Sequence, residues 1–386
     1  MAIRKLIIVI DASSTKEGGS QTHLVEVLKN ISNDSLAVIK KIYIVSNIAT
    51  LNLIEDKDYI VKFTTQSLNR NVLFCKMWVA FYLNKLVQSW SCDILLDLSG
   101  TYNGKFRPYV GMSRNMLLYE KEEVDRFKSF YQTLRFYILR KLQLSSFNKA
   151  AGIIFISNYA KDNILSRLKV KNMWRVIHHG VSNRFEQYEY KTQKPAKEYL
   201  LTHKYKLLYV SNILCFKHHL NVAKAIIELN KLGYNFELLL VGASHDKRIA
   251  KDLIALIKEE AHDNITYLGK VSYSRISEIY HSSDAFIFAS TCENMPNILI
   301  EAMTSGLPVI CSNYGPMPEF GKNAVEYFDP TSLDSLKKAI LKVFVDQELR
   351  KRMLIKNKTA TASFSWNKCS DELFCFLNNC VINKNR

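Results

Sequence analysis

Short apolar runs alternate with amphipathic stretches of helical period along almost the whole of this 386-residue chain. Few folds accept that pattern. A run that is apolar on both faces belongs to a strand buried on both faces, and such strands lie in parallel sheets covered by their crossover helices. In the first half, strand patterns stand at residues 4–12, 38–46, 93–98, 151–157 and 174–178, with helical stretches at 21–31, 67–88 and 157–168. A polar, lysine-rich stretch containing Pro195 follows, and the alternation restarts. Its strands are expected at 206–211, 236–242, 265–268, 285–289, 309–311 and 325–328, and its helices at 220–232, 246–261, 273–281, 333–344 and 366–381. The chain is too long for one ordinary core. The expected division is therefore a doubly wound domain at 1–183, a linker at 184–204, a second doubly wound domain at 205–365 and a terminal helix at 366–386. Two such sheets present their strand carboxyl edges across a cleft, where ligands bind.

The most informative single stretch is 290–310, Ser-Thr-Cys-Glu-Asn-Met-Pro-Asn-Ile-Leu-Ile-Glu-Ala-Met-Thr-Ser-Gly-Leu-Pro-Val-Ile. Pro296 opens a helix and Gly306 with Pro308 ends it, the usual placement of proline early and glycine late. Glu293 lies in the loop before the helix and Glu301 lies within it. Backbone amides of a first helical turn lack intrahelical acceptors and carry the positive end of the dipole, so Asn294, Met295, Asn297 and their neighbours suit a phosphate or sugar oxygen.

Composition narrows the surroundings. Hydrophobic content of 48% with 23% charged residues describes a globular chain, and no apolar run approaches the roughly 18 residues that span a bilayer. The run at 6–10 stops at Asp11 and reads as a first strand, not a signal peptide. Eight cysteines without a Cys-x-x-Cys pair imply reduced thiols and a cytoplasmic setting. Net charge is +17, of which 26 Lys+Arg against 14 Asp+Glu in residues 1–180 supply +12. An acidic neighbour is implied. Residues 126–149, beginning at Arg126 and ending at Lys149, read as one helical stretch with six basic residues, no acidic ones, and aromatics that include Phe127, Phe130, Tyr131, Phe136 and Tyr137. That composition suits the anionic inner face of a membrane, although a core helix with one solvated face has the same pattern. No nucleic-acid module is present, so a nucleic-acid partner is not expected.

Other groups of residues fit the cleft. Gly18 and Gly19 follow the first strand and let backbone approach a ligand closely. Lys217, with His218 and His219 after it, lies just past the first strand of the second half, where a cation reaches a bound diphosphate. His178 and His179 end a strand at the same edge. Asp56-Lys57-Asp58 is a polar turn without a supporting ligand set, so no metal site is expected. The nucleotide-hydrolysis and dinucleotide loop motifs are missing, which argues against those chemistries and against a resident cofactor.

With these residues in view, the chain resembles the retaining glycosyltransferases of family four, whose fold is GT-B. Glu293, seven residues and Glu301 carry the signature. Gly18-Gly19-Ser-Gln-Thr-His, Val176-Ile-His-His-Gly-Val, Tyr209-Val-Ser-Asn, Val241-Gly242, Leu268-Gly269, Asn313-Tyr-Gly-Pro-Met-Pro-Glu319 and Phe364-Ser-Trp366 agree in order. The resemblance implies two Rossmann-like domains, acceptor-binding at 1–183 and nucleotide-sugar-binding at 205–365, with the terminal helix crossing back to the first. It implies that Glu293 contacts the donor sugar and Glu301 the nucleotide ribose. Amides of Asn294, Met295, Pro296 and Asn297 would border the sugar and phosphates, with Gly18, Gly19 and Gly242 beside the diphosphate and Lys217 neutralising it. Glu293 and Lys217 are thus the expected catalytic pair.

Two departures stand out. Many members have an arginine where this chain has Asn212, itself expected on the donor side, so half the cationic clamp is missing or supplied from elsewhere; Arg114 is the candidate to supply it, and Arg114, Asn115 and His179 are expected at the acceptor side of the cleft. The histidine that members often have in the segment around Arg114 is missing. The implied activity is metal-independent, retaining transfer of a hexose from a nucleoside diphosphate sugar to a hydroxyl of a growing, lipid-linked surface glycan such as lipopolysaccharide O-antigen or capsule. The implied location is cytoplasmic and peripheral to the inner membrane. The alternative is a catalytically inactive GT-B relative that partners an active transferase at the membrane.

Overall fold

The computed structural model describes residues 5–16, 18–70, 72–169, 172–186, 192–202, 204–261, 263–272 and 274–384. Expectations at Arg4, Tyr273, part of the 184–204 linker and the last two positions lie outside them. The chain divides into two compact units: Met1–Tyr119 with Phe130–Gly180 and Phe364–Arg386, and Glu120–Ser129 with Val181–Ser363.

The first unit is built on seven parallel strands: β1 Leu6–Asp11, β2 Ile39–Val45, β3 Ile60–Phe63, β4 Ile94–Asp97, β5 Tyr109–Ser113, β6 Gly152–Phe155 and β7 Met173–Val176. Their order is β3-β2-β1-β4-β5-β6-β7. Burial follows position: every residue of β4, β5 and β6 is buried, while the edge strands β3 and β7 are only partly covered. The terminal helix Trp366–Lys384 is part of this unit. Its Leu373, Phe374 and Leu377 join the core formed by Ile8, Leu96 and Ile154. Ser370 Oγ donates to Val27 O at 2.9 Å, and Ser35 Oγ donates to Asp371 at 2.8 Å.

The second unit has six parallel strands: β8 Tyr205–Val210, β9 Phe236–Val241, β10 Ile265–Gly269, β11 Ala285–Phe288, β12 Val309–Ser312 and β13 Glu326–Phe328, ordered β10-β9-β8-β11-β12-β13. Both sheets therefore reverse direction of winding beside their first strand, between β1 and β4 and between β8 and β11. Loops leaving the carboxyl ends of those strand pairs diverge, and the crevice between them is where open α/β sheets bind ligands.

Three expectations change. The basic stretch 126–149 is not one helix: Glu120–Ser129 belongs to the second unit, and the helix of the first unit runs Phe130–Lys149. Lys128, at φ +48°, breaks the run with a left-handed residue that a continuing helix does not accept. The 184–204 stretch is not a bare connector. It holds the helix Ala196–Thr202, and Tyr199 is buried with its ring 4.9 Å from that of Tyr205. Arg350 holds it down. This arginine is wholly buried in the helix Gln347–Thr361, and its guanidinium donates to Gln193 Oε1 at 3.1 Å, Val343 O at 2.7 Å, and the carbonyls of Phe344 and Lys194. That helix, β3 and β5 are additions to the expected strands and long helices. The helix has a mainly polar surface and β3 is a half-exposed edge, so neither shows a strong apolar period, while β5 is a buried run of five residues broken by Gly111.

Candidate functional site

In the second unit the crevice between β8 and β11 brings together residues that are 76 positions apart. After β8 the chain makes one 3-10 turn, Cys215–Lys217, and passes His218 at φ +51° into the helix His219–Lys231. After β11 it makes the loop that leads into the helix Asn297–Thr304. Backbone ties lock the two loops: Thr291 N–H donates to Phe216 O at 2.9 Å, its hydroxyl donates to the same oxygen at 3.2 Å, and His218 Nε2 lies 3.2 Å from Thr291 Oγ1. Within that frame Lys217 Nζ and Glu293 Oε1 form a direct, largely buried ion pair. Tyr209 OH donates to Lys217 O at 2.6 Å and so fixes the backbone from which the lysine projects. The ammonium also stands 5.5 Å from the rings of Phe216 and Phe288.

The two histidines after Lys217 have structural surroundings. His219 is buried, stacked on Tyr209 with ring centroids 4.7 Å apart, and its Nε2 is 3.3 Å from Ser211 O. Burial pushes His219 down to about 3, and burial with the Arg126 cation pushes His218 down to about 4. Both are neutral near pH 7.

The helix Asn297–Thr304 ends as its sequence requires. Gly306, at φ +67°, donates to Met303 O at 3.1 Å and Leu307 donates to Ala302 O at 3.3 Å, the paired bonds of a left-handed glycine cap. At its start Pro296 is the cap residue, and its carbonyl accepts from Leu299 at 3.0 Å and Ile300 at 3.2 Å. One of the amides expected to lack an acceptor is engaged, since Asn297 N–H donates to Met295 O at 3.0 Å. Asn294 and Met295 are buried. Glu301 points back toward Tyr280, whose hydroxyl donates to Oε2 at 3.3 Å. Burial raises the Glu301 carboxyl to about 8, against the smaller opposing effects of Tyr280 and Arg184.

A carboxyl raised on folding binds a proton that the unfolded chain has released. Its contribution to stability is therefore full below the ordinary carboxylate range and declines as pH rises toward 8, by a few kcal/mol in total. Unfolding free energy of the ligand-free protein should fall between pH 5.5 and 8, and Glu301→Gln should make that slope shallower. Denaturant titrations across the range measure it, and an unchanged slope in the variant contradicts the assignment.

Asn212, in the position where a second cation was sought, has a different task. Its Oδ1 accepts from Ala243 N–H at 3.0 Å, Ile213 N–H donates to Ala243 O at 2.9 Å, and Gly242 N–H donates to Gly269 O at 2.9 Å. The loops after β8, β9 and β10 are thereby tied together. Gly242 is required there, because a Cβ on it would stand 2.0 Å from Ser211 O.

Sequence reasoning missed one neighbour of this crevice. The segment Glu120–Ser129, grouped with the second unit, sets Phe127 6.3 Å from Phe216 and pairs Arg126 Nε with buried Glu123 Oε2 at 2.8 Å. Only chain topology brings it there, and no local pattern announces it.

The remaining predicted residues are in the first unit. Gly18 adopts φ +71° and caps the helix Gly19–Lys29 without a side-chain partner. Arg114 follows β5, partly covered, with burial lowering its guanidinium to about 10. Asn115 is exposed and accepts from Leu117 N–H at 3.0 Å. His179 does not open to solvent: it is 3% exposed, its ring 4.4 Å from His23 and stacked on Trp366 at 5.7 Å. Trp366, the first residue of the terminal helix, covers it.

Comparisons with known proteins bear on the family likeness and the fold. Residues 191–360 match the family described as Glycosyl transferases group 1. The O-antigen chain mannosyltransferase B of Escherichia coli is 30% identical over 108 residues, which is 28% of each chain. The matched stretches span 24% to 49% of the length of the curated relatives. Among solved structures, sucrose-phosphate synthase from Thermosynechococcus elongatus superposes with TM-score 0.76 at 14% identity, covering 97% of this chain and 99% of its own. Anabaena Alr3699/HepE, solved in complex with UDP-glucose, gives TM-score 0.72 at 16% identity, covering 97% and 100%. The chain has the two-domain GT-B fold, and its residues 191–360 are similar to the group 1 glycosyltransferase family.

Proposed function

We propose that this protein is a glycosyltransferase of surface-polysaccharide synthesis, moving a hexose with retention from a nucleoside diphosphate sugar to a hydroxyl of a growing, lipid-linked glycan. The observation that carries the reading is the Lys217–Glu293 pair at the β8/β11 crevice of a group 1 domain. In the reaction the bond from the sugar's anomeric carbon to the phosphate oxygen breaks and negative charge grows on the departing diphosphate. A fixed ammonium in a largely buried setting stabilises that charge without reorganising. Lys217 takes this role, and Glu293, released from it, turns to the donor sugar. Glu301, held protonated near pH 7 by burial, both donates and accepts a hydrogen bond and so suits the ribose diol. The acceptor hydroxyl's proton passes to the leaving phosphate. This reading needs no metal.

UDP-glucose is the first donor to test, given the Anabaena complex. Donor binding at 100 times Kd stabilises the native state by about 2.7 kcal/mol, so a panel of nucleotide sugars should yield at least one clear rise in Tm. Hydrolysis or transfer of that donor, with the product's anomeric configuration read by NMR, checks the rest. Absence of any shift across the panel contradicts the proposal. The inert-partner alternative drew on Asn212 and on the basic first half of the chain; Asn212 instead has a loop-bridging task, and a basic surface suits an active transferase at an anionic membrane equally well.

A further inference from the structure

Behind Glu301 stands a tyrosine held from two sides. Tyr280 belongs to the helix Ile276–Ser282 and is wholly buried, its ring stacked on Phe286 of β11 at 5.5 Å and met edge-on by Phe185 at 5.4 Å. The end of that helix is closed as well: Ser283 N–H donates to Tyr280 O at 3.1 Å, and Ser283 Oγ donates to Ile279 O at 2.8 Å. Phe185 comes from the turn Asn183–Phe185 of the same unit, and His281 Nε2 lies 3.4 Å from the Phe185 carbonyl oxygen. With ring and backbone both fixed, the phenol directs its hydroxyl to one atom, Glu301 Oε2, to which it donates at 3.3 Å.

A carboxyl group by itself does not distinguish its two oxygens, because its last torsion is broad and roughly two-fold. Tyr280 removes the equivalence. Oε2 is engaged as an acceptor, whereas Oε1 has no hydrogen-bond partner among the described residues, and Glu301 stays partly exposed. A protonated carboxyl that accepts through Oε2 carries its proton on Oε1. Burial keeps that proton in place near pH 7, against the Tyr280 hydroxyl and the Arg184 cation, which faces the carboxyl from the 183–185 turn. The open end of Glu301 is therefore a hydrogen-bond donor on Oε1, with the second lone pair of Oε2 beside it as an acceptor. Two neighbouring hydroxyls on one sugar ring match that pair.

Resting on the transferase reading and its ribose contact, we propose that Tyr280 is the positioning residue that makes Glu301 a reader of the nucleotide's ribose diol, by holding Oε2 as an acceptor and leaving the Oε1 hydroxyl to the sugar. Tyr280 touches no substrate and acts through Glu301. A nucleotide without the diol is rejected, because the donor on Oε1 then goes without an acceptor. Phe185 and Phe286 take part by fixing the ring, so ribose selection depends on the packing of three aromatics and not on Glu301 alone.

The probes are UDP, GDP and ADP, each beside its 2′,3′-dideoxy counterpart, titrated calorimetrically against the full chain at pH 7. Wild type should bind one of the three and prefer it to the dideoxy form by about tenfold or more. Tyr280→Phe keeps the ring between Phe185 and Phe286 and should cut that preference about fivefold, the loss of one hydrogen bond. Glu301→Ala should abolish the preference. In that background Tyr280→Phe should change the ratio by less than about twofold, since a residue that acts through Glu301 then has nothing to position. Equal wild-type affinity for the diol and dideoxy forms, an unchanged preference in Tyr280→Phe, or the same cost of Tyr280→Phe with and without Glu301 would each overturn the role of Tyr280 while leaving donor binding intact. Binding of none of the three diphosphates would instead sink the transferase reading, and the Tyr280 role with it.

Discussion

Lys217→Ala is expected to lower kcat/KM for glycosyl transfer by about 10²- to 10³-fold, the range found when one preorganised group that stabilises developing charge is removed. Glu293→Ala should cost at least as much. The two losses have different companions in stability. Lys217 and Glu293 are a largely buried pair, with side-chain exposures of 9% and 17%. Removing either leaves an uncompensated charge among Phe216, Phe288 and the locked loops, which costs about 3–5 kcal/mol in buried pairs of this kind. Replacing both with uncharged residues of similar shape, Lys217→Met with Glu293→Gln, should recover most of the stability and none of the activity. Steady-state transfer kinetics alongside denaturant unfolding of the three variants separate these effects. Turnover near wild type in either single variant would remove the catalytic assignment, and a double variant no more stable than the singles would remove the electrostatic explanation.

The second large effect is expected from Gly242→Ala. A Cβ at this position would stand 2.0 Å from Ser211 O and 2.4 Å from Ser211 C, and φ there is +150°. The loops after β8 and β9 must separate to admit it. Doing so strains the bonds from Ala243 to Asn212 and Ile213, the ties that hold the mouth of the crevice. Strain of about 1–3 kcal/mol follows from a residue forced into such a conformation, or a fall in Tm of about 2–12 °C for a unit of this size. Under the proposed function this loop borders the donor diphosphate, so donor affinity should drop at least tenfold. Gly18→Ala is the control: its φ of +71° disfavours a side chain, but nothing lies within 4 Å of the added Cβ, so its Tm should change by less. Scanning calorimetry and donor titration of both variants check the pair. Equal behaviour of the two would show that backbone conformation, not the Ser211 contact, sets the requirement at Gly242.

Much of the fold was legible because parallel sheets write themselves plainly. β11 is wholly apolar and β4, β8 and β9 are apolar but for one charged residue each, Asp97, Lys206 and Glu237, and helices such as Lys247–Glu260 carry a strong amphipathic period behind the capping Asp246, whose carboxylate accepts from Arg248 and Ile249 N–H. What failed to show had weaker local signals. β3 is a half-exposed edge, Gln347–Thr361 is held by a buried arginine instead of an apolar stripe, and Tyr199 anchors a stretch whose composition reads as solvent-exposed. Of the candidate site, the cap at Gly306 and the approach of Lys217 to the expected crevice could be argued from sequence. The covering of His179 by Trp366, the bridging task of Asn212 and the placement of Glu120–Ser129 could not.

The sequence by itself determined most of the elements, the division into two doubly wound halves and the family likeness, because propensity, capping and apolar period are local properties that each segment expresses without its partners. Tertiary structure alone decided which charges meet. Lys217 and Glu293 leave adjacent strands 76 residues apart in sequence, and Asp11 and Asp97 face each other across a register that no local pattern encodes. Strand order sets these meetings, and strand order is fixed by how crossover helices pack over the whole sheet.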